Sequence, residues 1–301
     1  MTTTNHDIHE YALSLGIDLP PQADFWKLGD QTALRVSPDG SYYRSNYERG
    51  MLLYALVAHH RPKTVLEFGT GRGYGTLSMA WAMHAHNIDG MIYTVDRLTA
   101  NTPIQWAIKE TSTAEPHVEQ LTWNAVWAEA VPEEWRQHIT LLHGDSSSVM
   151  RESTLPPINI AFIDGGHSLD TVRHDFYTAL ASADTEFGIL FDDYEETDKF
   201  GVRSLLADEV FPHFDAHLLQ TRREYLDGTE KEAIYKMVWI HSESCDEPLD
   251  RIYATEKQQT FLQDYYRQQN PPAWQLALTL VKNRSYKFAR RVWKKALSLS
   301  R

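Results

Sequence analysis

Two runs of this 301-residue chain hold the side chains best suited to chemistry: Phe162-Ile163-Asp164-Gly165-Gly166-His167-Ser168 and Ile189-Leu190-Phe191-Asp192-Asp193-Tyr194. Each reads as an apolar strand that ends in carboxylates, which brings Asp164, Asp192 and Asp193 to neighbouring strand ends. Three converging anions repel one another unless protons or a cation neutralise them. An all-oxygen set favours a hard ion, Mg²⁺ or Ca²⁺ with Mn²⁺ behind them, over zinc. Gly165 and Gly166 let the backbone fold so that His167 can face whatever Asp164 holds. The plainer readings are that Asp192 and Asp193 cap a following helix and that His167 merely starts one.

The run Val65-Leu66-Glu67-Phe68-Gly69-Thr70-Gly71-Arg72-Gly73-Tyr74-Gly75 is a buried strand, a four-glycine loop and the start of a helix near Thr76. Glycine recurs where backbone turns sharply or lies against a ligand, and the helix start offers free N–H groups to that ligand. A phosphate P-loop would need Gly-Lys-Ser/Thr, and no lysine follows these glycines. A dinucleotide fingerprint fails as well: Gly69-x-Gly71 meets Tyr74 at its third position, and Gly71-x-Gly73 meets Thr76. Glu67 before the loop suits a cationic ligand better than a pyrophosphate.

The pattern Glu67-x-Gly69-x-Gly71-x-Gly73 resembles the first motif of class I S-adenosylmethionine-dependent methyltransferases. The resemblance covers roughly residues 47 to 240 and implies a Rossmann-like seven-stranded, mostly parallel sheet with a terminal antiparallel hairpin and helices on both faces. It also implies that Glu67, Gly69, Thr70, Gly71, Gly73 and Tyr74 surround the cofactor's methionine portion. Asp96, 21 residues after Gly75, would take the ribose hydroxyls, and Asp145 with Ser146 the adenine side. Asp164 would line the same site. The Asp-Gly-Gly-His-Ser run is closer still to metal-dependent O-methyltransferases of the macrolide-sugar and rhamnosyl group, sometimes described as cephalosporin hydroxylase-like. By that likeness Asp164, Asp192 and Asp193 hold the metal, most naturally Mg²⁺, and His167 is the catalytic base. Asp193 departs from the pattern of the metal-dependent family, where Asn is common. The chemistry is coherent: a cation chelating two adjacent hydroxyls lowers their pKa and fixes them, and a neutral histidine removes the proton.

These residues need a frame of alternating strands and helices. Strands are expected at Thr64–Phe68, Met91–Val95, Ile139–Leu142, Ile158–Ile163 and Gly188–Phe191, each with a carboxylate at or beside its end. His217–Thr221 and Ala233–Ile240 read as the closing hairpin. The domain is taken as 47–245, behind an N-terminal cap, 1–46, in which Pro38-Asp39-Gly40 marks a hairpin. Residues 97–138 form a long insertion, a candidate lid or oligomer contact, in which Trp123-x₃-Trp127 has helical spacing. Residues 246–301 form a helical extension.

Composition limits the function classes. The net charge of −12 disfavours nucleic-acid binding. Cys245 is the only cysteine, so no internal disulfide forms and a reducing, cytoplasmic setting is expected. The N-terminal residues show no signal-peptide pattern, and no apolar run is long enough to span a bilayer. The last twenty residues carry eight basic side chains and no acid, so the rest of the chain holds −20 against the net −12. That tail, residues 274–301, reads as a basic amphipathic helix, a candidate for peripheral contact with the inner membrane face or for docking on the acidic body of its own or a partner chain, and a homo-oligomer is among the expected partners. The expected activity is methylation of a hydroxyl on a sugar or other vicinal diol, in a glycan or a natural product. The alternatives are a nicotinamide-type oxidoreductase and a non-catalytic subunit that binds an adenosyl ligand.

Overall fold

A computed structural model describes residues 2–194, 201–226, 230–245, 248–253 and 255–271. The basic tail at 274–301 lies outside the described residues. The chain opens with β1 (Thr3–Asp7), α1 (Ile8–Ser14) and α2 (Gln22–Thr32), then the short hairpin β2 (Arg35–Val36) and β3 (Tyr42–Ser45). Next come α3 (Glu48–His60), β4 (Thr64–Phe68), α4 (Tyr74–Ala85) and β5 (Met91–Asp96). The insertion holds β6 (Ile104–Ile108), β7 (His117–Leu121), α5 (Trp123–Ala130) and α6 (Glu133–Arg136). The second half runs β8 (Ile139–His143), α7 (Ser146–Glu152), β9 (Ile158–Ile163), α8 (Leu169–Ala181), β10 (Ala183–Tyr194) and α9 (Gly201–Leu205). It closes with β11 (Ala216–Tyr225), β12 (Glu230–His241), α10 (Leu249–Tyr253) and α11 (Glu256–Gln269).

The main sheet has the order β2-β3-β11-β12-β10-β9-β4-β5-β8, with β1 paired along β11. Strands β10, β9, β4, β5 and β8 run parallel, and β12 is antiparallel to β10 and β11. This is the expected Rossmann-like α/β architecture, widened to ten strands because β1, β2 and β3 join the edge formed by β11. The chain winds outward from β4 in both directions, so a crevice opens at the carboxyl ends of β4 and β9.

Strand β4 is buried at all five positions, as a parallel strand covered on both faces must be. Helix α3 is buried from Gly50 to Ala58 and packs on the similarly apolar α4. It ends where Arg61 turns left-handed before Pro62, which cannot continue a helix. Alternate residues of β10 feed opposite cores: Leu190 joins Trp239 and Leu52 on one face, Ile189 and Phe191 join Phe176 and Phe214 on the other. The insertion builds a third core with Trp106, Trp123 and Trp127 against Leu77 of α4.

Candidate active site

Strand register assembles the rim of the crevice. Phe68 pairs with both Val95 and Ile163, and Ile163 pairs with Phe191. The residues that follow, Gly69, Asp96, Asp164 and Asp192, therefore stand in one row. Asp145 lies two residues beyond β8 and caps α7, accepting from the Ser147 amide at 3.1 Å and the Ser147 hydroxyl at 2.6 Å.

The glycine loop is shaped for close approach. Gly69 has φ +94°, and a Cβ there would overlap the carbonyl oxygen of Asp164. Gly73, at φ +91°, lies under the indole of Trp127, which a Cβ would strike. Two tryptophans of α5 hold the loop from above: Trp123 donates to the Gly71 carbonyl at 3.0 Å and Trp127 to the Arg72 carbonyl at 3.1 Å. Arg72 donates to the carbonyls of Leu34 at 2.7 Å and Gln105 at 2.8 Å, joining loop, cap and insertion. Burial lowers its pKa to about 10, with Arg35 adding to the effect.

Two cavities meet at this loop. One, of about 460 Å³, is lined by Gly69, Gly71, Asp96, Asp145, Ser146 and Asp164, six of the ten residues expected to bind cofactor. The other, of about 360 Å³, lies toward the cap and is lined by Arg35, Asn46, Arg49, Asp192 and Asp193 among others. Gly69, Gly71, Asp164, Gly165 and His167 line both. Glu67, Thr70 and Tyr74 border the second cavity and not the first, and Gly73 lines neither. Glu67 is enclosed, accepting from the Thr94 hydroxyl at 2.6 Å and from the Thr76 hydroxyl. Burial pushes its pKa up to about 7. The Tyr74 hydroxyl is turned into the core, donating to the Tyr47 carbonyl at 2.6 Å. Asp96 accepts from the Gly71 amide at 3.1 Å and the Leu98 amide at 2.9 Å, so it braces the loop from the side of the larger cavity.

The three candidate metal ligands do not converge on one point. Arg49 Nη1 donates to Asp164 Oδ2 at 2.7 Å and to Asp192 Oδ2 at 2.6 Å. Asp193 instead faces His167, with Nδ1 to Oδ2 at 3.0 Å. The divergence has a backbone cause: β10 carries a bulge between Phe191 and Tyr194, and Asp193 sits there at φ +60°. Asp192 and Asp193 both lie within β10, and neither caps a helix among the described residues. Among the described residues no group of three or more His, Cys, Asp or Glu side chains is arranged to hold a metal ion.

Charge is tightly coupled here. Desolvation, opposed by Arg49 and reinforced by neighbouring aspartates, pushes Asp164 well above the usual carboxylate range. Asp192 is raised for the same reasons. The hydrogen bond to Asp193 raises His167 despite partial burial. Burial alone would lower Arg49, but Asp164 and Asp192 more than reverse it. Arg49, Asp175, Trp123 and Trp127 are the site residues that sequence patterns did not single out as such. Asp175 of α8 is 1% exposed, lines the larger cavity and pairs with His174 at 2.9 Å.

Residues 66–194 match the model of a family described as a methyltransferase domain. The matched stretch runs from β4 to the end of β10 and so takes in the rim of the crevice. No curated protein matches the chain by sequence. Among solved structures it is similar to the O-methyltransferase TomG from Streptomyces achromogenes, involved in tomaymycin synthesis and in complex with SAM. The identity is 14%, over 78% of this chain and 95% of that one, with a TM-score of 0.47. An O-methyltransferase from Bacillus cereus in complex with SAH is 17% identical over 77% of this chain and 94% of that one, with a TM-score of 0.45.

Proposed function

We propose that the protein moves the methyl group of S-adenosylmethionine onto a hydroxyl of a sugar or other vicinal diol. The observation that carries this reading is His167 on the wall shared by two cavities, paired with Asp193 of the smaller one, within the stretch that matches a methyltransferase domain. A donor in the larger cavity and an acceptor in the smaller one meet beside that pair. The glycine cradle, the open space around Gly71 and the carboxylates of Asp96 and Asp145 fit an adenosyl ligand. Gly69, Gly71, Asp96 and Asp145 would hold it, and it would supply an electrophilic methyl group for an acceptor oxygen.

With Nδ1 donating to Asp193, the nitrogen of His167 that can take the acceptor's proton is Nε2. Asp193 fixes the ring's tautomer and stabilises the imidazolium that forms. Ala33, Arg35 and Asn46 of the N-terminal region line the acceptor cavity, which supports selection of the acceptor there. The expected divalent ion does not fit the carboxylates as they stand, because Arg49 lies between Asp164 and Asp192 while Asp193 serves His167. The test is transfer of labelled methyl to a panel of glycans and phenols, with calorimetric binding of S-adenosylhomocysteine alongside. His167→Ala is expected to lose turnover and keep cofactor affinity. Undiminished turnover would remove His167 from the mechanism, and absence of cofactor binding by the wild type would end the reading.

A further inference from the structure

Arg49 reaches the site from the first turn of α3, and its placement is built in. Gly50 lies so close to Tyr74 that a Cβ would overlap the phenol hydroxyl, and that hydroxyl holds the carbonyl of Tyr47 at 2.6 Å. The start of α3 is thus pressed onto the start of α4, beside the strand ends. The Arg49 side chain is 14% exposed, and Asp192 is 4% exposed. Asp192 is held at both oxygens: Oδ2 by Arg49, Oδ1 by the Asp193 amide at 2.8 Å and the Asn46 amide group at 3.4 Å. One guanidinium nitrogen within 2.7 Å of two carboxylates stands where a bridging cation would stand.

We infer that Arg49 is the resident cation of this site, taking the place of a divalent ion between Asp164 and Asp192. The inference rests on the methyl-transfer reading only for its meaning in catalysis. Arg49 acts as a positioning residue: it neutralises the two carboxylates and fixes them as acceptors for the hydroxyls of an incoming diol, while the proton leaves through His167. A divalent ion could enter only by expelling a buried guanidinium and leaving it unpaired, a penalty that weakens metal binding by on the order of 100-fold or more.

Mn²⁺ binding, followed by the loss of its free electron paramagnetic resonance signal, tests this without donor or acceptor present. The wild type is expected to take up no stoichiometric Mn²⁺ at submillimolar concentration, Arg49→Lys to behave alike, and Arg49→Met to bind one ion about 100-fold more tightly or better. S-adenosylhomocysteine binding reports whether each variant is folded. Tight stoichiometric Mn²⁺ binding by the wild type overturns the inference without any variant, and so does a folded Arg49→Met that gains no Mn²⁺. Loss of cofactor binding in every form, wild type included, would instead sink the methyl-transfer reading and leave the Mn²⁺ result standing.

Discussion

Asp193 joins two properties that a sequence cannot display together. Its backbone is left-handed at φ +60°, a conformation that Asn shares with Asp more readily than other side chains do. Its carboxylate orients His167 at 3.0 Å. Asp193→Asn keeps the backbone and removes the charge, so the fold should survive while the imidazolium loses its partner. Steady-state kinetics should show kcat lower by at least about tenfold with KM for the donor little changed. His167→Asn should cost on the order of 100-fold or more in kcat with unchanged S-adenosylhomocysteine affinity by calorimetry. An equal fall in cofactor affinity would mean that His167 supports the donor cavity instead. The carboxylates and His167 were legible because polar groups at the ends of apolar strands stand out. Their pairing was not. Whether Asp193 turns toward Asp164 or His167 depends on a one-residue bulge in β10, which leaves no mark in the hydrophobic pattern. Arg49 carried a weak signal, a guanidinium beside Glu48 at the head of a helix that is apolar from Met51 to Ala58, but nothing named its partners, 115 and 143 residues away.

Among the elements, four of the five parallel strands were readable to within a residue because each is a short apolar run between turn signals, whereas β10 runs Ala183–Tyr194, well beyond the expected Gly188–Phe191. Strand β9 is found at Ile158–Ile163 as expected, and β4 at Thr64–Phe68. Helix α5 was readable as an element from Trp123-x₃-Trp127, and the two rings do stack, with centroids 6.0 Å apart. What the spacing concealed is their target. Both indole N–H groups hold carbonyls of the glycine loop, so the insertion, expected as a lid or an oligomer contact, is a clamp on that loop. Trp127 is 4% exposed, and its truncation to Ala should cost about 3–5 kcal/mol in urea denaturation. Trp127→Phe separates packing from hydrogen bonding. It keeps most of the ring and should lose about 1 kcal/mol of stability. It should also weaken S-adenosylhomocysteine binding, since the Arg72 carbonyl loses its donor and the loop its tether. Wild-type affinity in Trp127→Phe would show that packing alone fixes the loop.

At the scale of the whole molecule, the sheet is wider than the sequence indicated because β1 and β3 find their partner, β11, some 180 to 213 residues further along. Short polar strands such as Thr3–Asp7 carry no apolar alternation to advertise such pairing. The completed fold encloses carboxyl groups, Glu67 and Asp192 among them, and they contribute to how stability responds to pH. Glu67 is 1% exposed and has its pKa raised from 4.5 to about 7. Between those values the folded chain holds a proton that the unfolded chain has released. Folding is therefore favoured at low pH and loses stability as pH rises, fully so above about 7. The shift corresponds to roughly 3 kcal/mol for this one group. Asp164 and Asp192 are raised too and act in the same direction. His60, His217 and His241, all lowered by burial, act in the opposite direction, so the share of Glu67 is read by difference: between pH 5.5 and 7.5 the unfolding free energy of the wild type should fall further, or rise less, than that of Glu67→Gln in urea denaturation. Glu67→Gln, which can still accept from Thr76 and Thr94, should remove most of its share of that difference and be the more stable protein at pH 7.5. An unchanged pH slope in Glu67→Gln would mean that Glu67 is ionised inside the fold, held by the two threonine hydroxyls and the nearby charge of Arg49.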